Sequence, residues 1–67
     1  MSVARVTEIS VENDKSFEDA VREGIERANM TLRNVTGAWV KEQQVVVRDG
    51  TITAFRVNLL VTFVLED

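Results

Sequence analysis

Few residues of this 67-residue chain have side chains that could act on a ligand, and their types limit the chemistry open to it. There is no cysteine and no histidine. That removes disulfides, the usual zinc ligands, the commonest general base and every Ser–His or Cys–His nucleophile. Of the 11 acidic residues, Glu18 and Asp19 stand side by side, and capping of a helix accounts for them. Glu8, Glu12, Asp14, Glu66 and Asp67 could combine across a symmetry axis into a cation site, or simply form an acidic surface. Calcium takes about six to eight oxygens, more than one small subunit of this kind supplies alone. No nucleophile–base pair, Gly-rich phosphate loop or inward carboxylate pair is present, so catalysis is not expected. Two residues remain. One is Trp39, the single tryptophan, in "NVTGAWVKEQ". Its indole can stack on a planar ligand or anchor an interface. The other is Arg56, whose guanidinium can stack, hold a phosphate, or pair with an acid of another subunit such as Glu42.

The elements that must position these residues follow from the pattern of apolar positions. Residues 3–12, "VARVTEISVE", are rich in β-branched types and roughly alternate, which predicts a strand. "NDK" is a turn. "SFEDAVREGIERANMTLR" predicts a helix, with Ser16 as N-cap, acids at 18 and 19 near the positive end of its dipole and Arg33 near the other. Phe17, Ala20, Val21, Gly24, Ile25, Ala28 and Leu32 form one apolar stripe. Gly24, mid-stripe, costs about 1 kcal/mol against Ala, which makes sense if a neighbouring backbone comes close. Residues 35–48 and 51–65 predict a long hairpin around Asp49-Gly50.

In the last strand Phe55, Val57, Leu59, Val61, Phe63 and Leu65 make a wholly apolar face for the helix. The other face, Ile52, Ala54, Arg56, Asn58, Leu60, Thr62 and Val64, is too apolar to be simply solvated. In the middle strand Ala38 and Val40 have the opposite parity to Val45 and Val47, so a bulge in "KEQQ" must reset the phase. With Ala38 and Val40 toward the helix, Gly37, Trp39 and Lys41 point outward, beside Arg56, Asn58, Leu60 and Thr62. The expected fold is α+β, of β-α-β-β order: a three-stranded antiparallel sheet wrapped around one helix, as a single domain over residues 1–67.

Composition bounds the partners. The formal charge is −3, with charges mixed along the chain, so nucleic acid is not an expected partner. No apolar run reaches membrane-spanning length, and the start "MSVARVTEIS" lacks the apolar stretch of a signal peptide, so no membrane partner is expected. "NVT" at 34–36 matches a glycosylation pattern but is read as accidental. A chain this short buries only about 60% of its unfolded surface. Without disulfides or thiolate metal sites, self-association is the remaining staple.

Order, spacing and length together carry a resemblance. "SFEDAVREGIERA", "TLRNV", "WVKEQ", the "DGTI" turn and the ending "FRVNLLVTFVLED" make the chain resemble the dodecins over essentially its whole length. The resemblance implies a non-enzymatic cytoplasmic homododecamer, a hollow shell that stores or sequesters flavin (riboflavin or FMN). In that family flavins bind in pairs at two-fold axes, each ring stacked on a Trp and contacted by a Gln in a "Tyr-Gln-Val" context. Here the family's usual Trp position falls on Gly37, with Trp39 two residues later, and the Gln position falls on Arg56. Residues i and i+2 of a strand share a face, so Trp39 lies on the same face, displaced by roughly 7 Å. The flavin-contacting residues implied are Trp39, Arg56, Gly37, Lys41 and Asn58, although Lys41, like Arg48, reads by itself as a solvated side chain rather than a ligand contact. No metal ligands are assigned. The "FRV" segment also resembles dodecins that bind calcium, so the alternative is a shell without flavin, structural or cation-binding.

Overall fold

The computed structural model describes residues 2–65. Strand β1 (Ala4–Asn13) leads into helix α1 (Phe17–Thr31), followed by strands β2 (Val35–Arg48) and β3 (Thr51–Val64). The sheet order is β1-β3-β2, with both pairings antiparallel. The architecture is therefore the expected β-α-β-β arrangement, with β3 central.

The entry to α1 is built by two side chains. Asn13 Oδ1 accepts from the backbone N–H groups of Lys15 and Ser16, which shapes the turn. Ser16, in extended conformation, accepts from the Asp19 N–H at 3.0 Å and caps the helix. The helix stops sooner than its sequence pattern suggests. Leu32 is already extended at φ −105°, ψ 144°, and the last turn holds no basic residue. Arg33 therefore lies beyond the helix and does not complement its dipole. The β2–β3 turn has Asp49 at φ 52° and Gly50 at φ 77°. Positive φ at both centres is the two-residue hairpin geometry that matches strand twist.

Ala20, Gly24 and Ala28, four residues apart, are the buried residues of α1. They press on Val57, Leu59 and Val61 of β3, whose side chains are fully enclosed. Ile9, Val11, Phe17, Val21, Ile25, Leu32 and Val35 pack around this centre. Phe17 meets Phe55 edge to face, with ring centroids 5.1 Å apart. Leu65, expected on the core face, lies past the end of β3 and is 42% exposed.

Gly24 is required by side chains, not by the neighbouring backbone that its position in the stripe suggests. A Cβ there would stand 2.6 Å from Val11 Cγ2 and 3.0 Å from Leu59 Cδ1. Gly24→Leu is expected to overpack this contact and lower stability by about 1–3 kcal/mol per subunit, read as a reduced denaturation midpoint. An unchanged midpoint would mean that α1 does not seat on this stripe.

The sheet outreaches its helix. The chain measures 51 × 19 × 14 Å, with a radius of gyration of 13.7 Å. A compact domain of this length would have about 11 Å. Its accessible surface is 5148 Å². A compact monomer of this mass would show roughly 4,300 Å². The excess, on the order of 900 Å², is similar to one partner's share of a standard interface. Part of it lies on the helix side of β2, where Val40 and Val45 are 47% and 39% exposed. The rest lies on the opposite face of the sheet.

Candidate functional site

Three irregularities in the β2–β3 ladder decide which side chains share that outer face. Thr36 is extra between the pairs Val35↔Phe63 and Gly37↔Thr62, which leaves Val35 in the core and turns Gly37 outward. Ala38 and Val40 then oppose Val61 and Leu59 on the helix side, and Trp39 opposes Leu60 on the outer side. Lys41 is extra between Val40↔Leu59 and Glu42↔Asn58, the bulge expected in "KEQQ". It resets the phase, so that Gln43 and Val45 face the helix while Glu42 and Gln44 join the outer row. A third shift, at Thr53, lies between Val46↔Ala54 and Val47↔Ile52. Because the extra residue is on β3, Val45 and Val47 keep one parity, and it is Ile52, expected beside Ala54 on the outer face, that falls out of alternation with it.

On the other side of β3 the register is continuous. Val6, Glu8, Ser10 and Glu12 oppose Thr62, Leu60, Asn58 and Arg56. The outer face is thus a patch three strands wide, with Leu60 at its centre between Glu8 and Trp39. Trp39 is 76% exposed and Val6 is 56% exposed. At Gly37 nothing lies within 4 Å of where a Cβ would stand, so there is open space next to the indole along the strand.

Of the five nominated residues, Trp39, Gly37, Asn58 and Arg56 fall on this face by register, and Lys41 reaches it from the bulge. Lys41 Nζ lies 3.2 Å from Glu8 Oε1, so its side chain crosses β3 to reach β1. Arg56 donates from Nε and from a terminal nitrogen to Glu12 Oε1 at 3.1 and 2.8 Å. Arg56 was expected to stack, to hold a phosphate or to pair with an acid of another subunit such as Glu42; within its own chain the partner is Glu12, its direct cross-strand neighbour. Glu8 and Glu12, grouped by sequence with the cation candidates, are thereby engaged by cations of their own sheet. Only the register of β1 against β3 reveals these partnerships. Asp14 shares a shallow depression with Glu12, Val46, Arg48 and Ala54 at the far end of the face. Among the described residues no three carboxylates come together to hold a metal ion. Glu66 and Asp67 lie outside the described residues.

An open groove of about 620 Å³ runs between the edge of β1 and α1, lined by residues that include Ile9, Val11, Ala28 and Met30. It is on the helix side of the sheet, and none of the nominated residues lines it. The surface that presents the exposed indole is the outer face.

The family model for Dodecin matches residues 3–66. The chain belongs to the dodecin family. The dodecin from Streptomyces coelicolor is 30% identical, superimposes with a TM-score of 0.92, and the match covers 98% of this chain and 94% of that one. The dodecin from Streptomyces davaonensis is 33% identical, also at a TM-score of 0.92, over 98% and 97% of the two chains. A calcium dodecin from Mycobacterium tuberculosis, described as calcium-chelating with a novel calcium-binding site, is 32% identical at a TM-score of 0.82, over 97% and 93%. No curated protein sequence is significantly similar to the chain. Among the described residues no helix is long and apolar enough to cross a membrane.

Proposed function

We propose that this dodecin is a non-enzymatic, cytoplasmic flavin store. Residues 1–67 act as one domain, twelve copies close into a hollow shell, and the outer sheet faces of neighbouring subunits clamp flavin (riboflavin or FMN). Nucleic acid and membrane have no part in this role. The observation that carries the reading is the position of Trp39: 76% exposed, on the outer face of the sheet, directly across from Leu60. A large indole in that place is a liability on an isolated subunit. Between subunits it becomes an anchor or one wall of a stacking site. Gly37, Lys41, Arg56 and Asn58 frame the same face. Stacking on an indole quenches the excited flavin, which suits sequestration of a photoreactive molecule.

A second reading has support of its own. The calcium dodecin relative is as similar in sequence as the others, and Glu12 and Asp14 of this chain share one depression. In that reading the shell forms without flavin and repeated carboxylates hold cations between subunits.

Titrating riboflavin and FMN with purified protein separates the two. The flavin store is expected to quench flavin fluorescence and to yield a preparation absorbing near 450 nm once loaded. Unchanged flavin fluorescence together with calorimetric calcium binding would replace it with the cation-holding shell.

A further inference from the structure

The charges of the outer face bear on which flavin it accepts. The face carries two cations, Lys41 and Arg56, and the charge of each is already matched by a carboxylate of the same sheet. Lys41 is paired with Glu8, and Arg56 donates two hydrogen bonds to Glu12. Glu42, opposite Asn58, adds a third carboxylate to the same face. The three acids outnumber the two cations by one. Including the far depression, where Asp14 accompanies Arg48, leaves the balance unchanged. Arg48 is also remote: it lies nine residues along β2 from Trp39, roughly 25–30 Å at strand spacing.

What the face does offer is neutral polarity. Asn58 sits about 7 Å along β3 from Leu60, flanked by Ser10 and Glu42. A ring stacked on Trp39 and laid over Leu60 brings its polar pyrimidine edge toward these groups. Their amide, hydroxyl and carboxylate oxygens can accept from an imide N–H. A phosphate monoester, with about −1.5 to −2 charges at neutral pH, finds no cation on this face whose charge is still unmatched. Arg56 keeps further N–H donors, but its charge is already matched by Glu12, and turning it fully to a phosphate would leave that carboxylate unpaired, which is costly in an enclosed interface. Symmetry doubles the excess negative charge wherever two such faces meet.

Resting on the flavin reading above, we propose that the face selects flavins without a phosphate, the riboflavin class, over phosphorylated ones such as FMN, and that the Glu8–Lys41 and Glu12–Arg56 pairs enforce the choice by occupying both cations.

The test is a pair of fluorescence titrations of the intact assembly, with riboflavin and with FMN, at low and high salt. Riboflavin is expected to bind about tenfold tighter at low salt, with the gap narrowing as salt screens the face. Glu12→Gln removes one acid and releases Arg56, so it is expected to tighten FMN and leave riboflavin nearly unchanged. FMN binding as tightly as riboflavin, or more tightly, would overturn the selectivity while leaving the flavin store standing. A ratio that Glu12→Gln does not move would overturn the ion pairs as its cause. If neither flavin is quenched, the flavin reading fails and takes this inference with it.

Discussion

Leu60→Asp is expected to leave the protein as small species near its subunit mass of 7.6 kDa, where the wild type is expected to elute at about twelve times that mass. Leu60 lies at the centre of the outer face, with Glu8 on one side and Trp39 on the other. On a lone subunit the exchange is tolerable. The fully enclosed core of Val57, Leu59 and Val61 is on the opposite side of the sheet, and a carboxylate at 60 can remain hydrated. Its added repulsion with Glu8 across the ladder amounts to about 0.2–1 kcal/mol. At a closed interface the same carboxylate must shed its water. The Lys41 ammonium nearby is already matched by Glu8, so the new charge has no spare partner. Desolvating an unpaired charge costs several kcal/mol, and symmetry repeats that cost in every subunit. Light scattering after size exclusion checks the outcome. A mutant that keeps the full assembled mass would show that the outer face is not where subunits meet.

The fold was legible because most of its signals are local. Alternation in β3 separates Val57, Leu59 and Val61 from Arg56, Asn58 and Leu60 without reference to any other strand. The Asp49-Gly50 pair and the Ser16 cap announce a turn and a helix start within a few residues. The phase conflict between Ala38–Val40 and Val45 pointed to a bulge, and Lys41 is that bulge. Where the reading fell short, the deciding fact was a partner distant in sequence. Gly24 answers to Val11 and Leu59, which no helical pattern can name. Arg56 finds Glu12, 44 residues away, because β1 pairs with β3 and not with β2. The end of α1 was overread because Leu32 and Arg33 continue a helical composition, while Asn34 at φ 59° turns the chain toward β2. The family's functional pattern was the least legible part, since Trp39 and Arg56 both depart from its usual residues.

Trp39→Ala carries the largest expected effect on ligand binding, because loss of the indole takes away most of the stacking surface. Trp39 is on an edge strand, 76% exposed, and its core-facing neighbours Ala38 and Val40 are untouched by the change. The subunit fold is therefore expected to survive. An aromatic side chain of this size buries about 150–250 Å², and aromatic stacking adds about 0.5–1.5 kcal/mol beyond that area. At about 25 cal/mol per Å² the two contributions together amount to several kcal/mol for each ring held. Flavin affinity is thus expected to fall by a hundredfold or more, with about 1.4 kcal/mol per factor of ten. Light scattering would still report the assembled mass if stacking a ligand is the residue's main role. If Trp39 is chiefly an anchor between subunits, the same substitution would lower the assembled mass or its resistance to dilution, and wild-type protein would leave flavin fluorescence unchanged. Trp39→Phe refines the distinction. A phenyl ring keeps an apolar wall but offers less area and a weaker electron donor, so it is expected to retain assembly with partial binding and incomplete quenching. Full quenching by Trp39→Ala would remove the indole from the site and leave the Asn58–Arg56 row as the place where the ring is held.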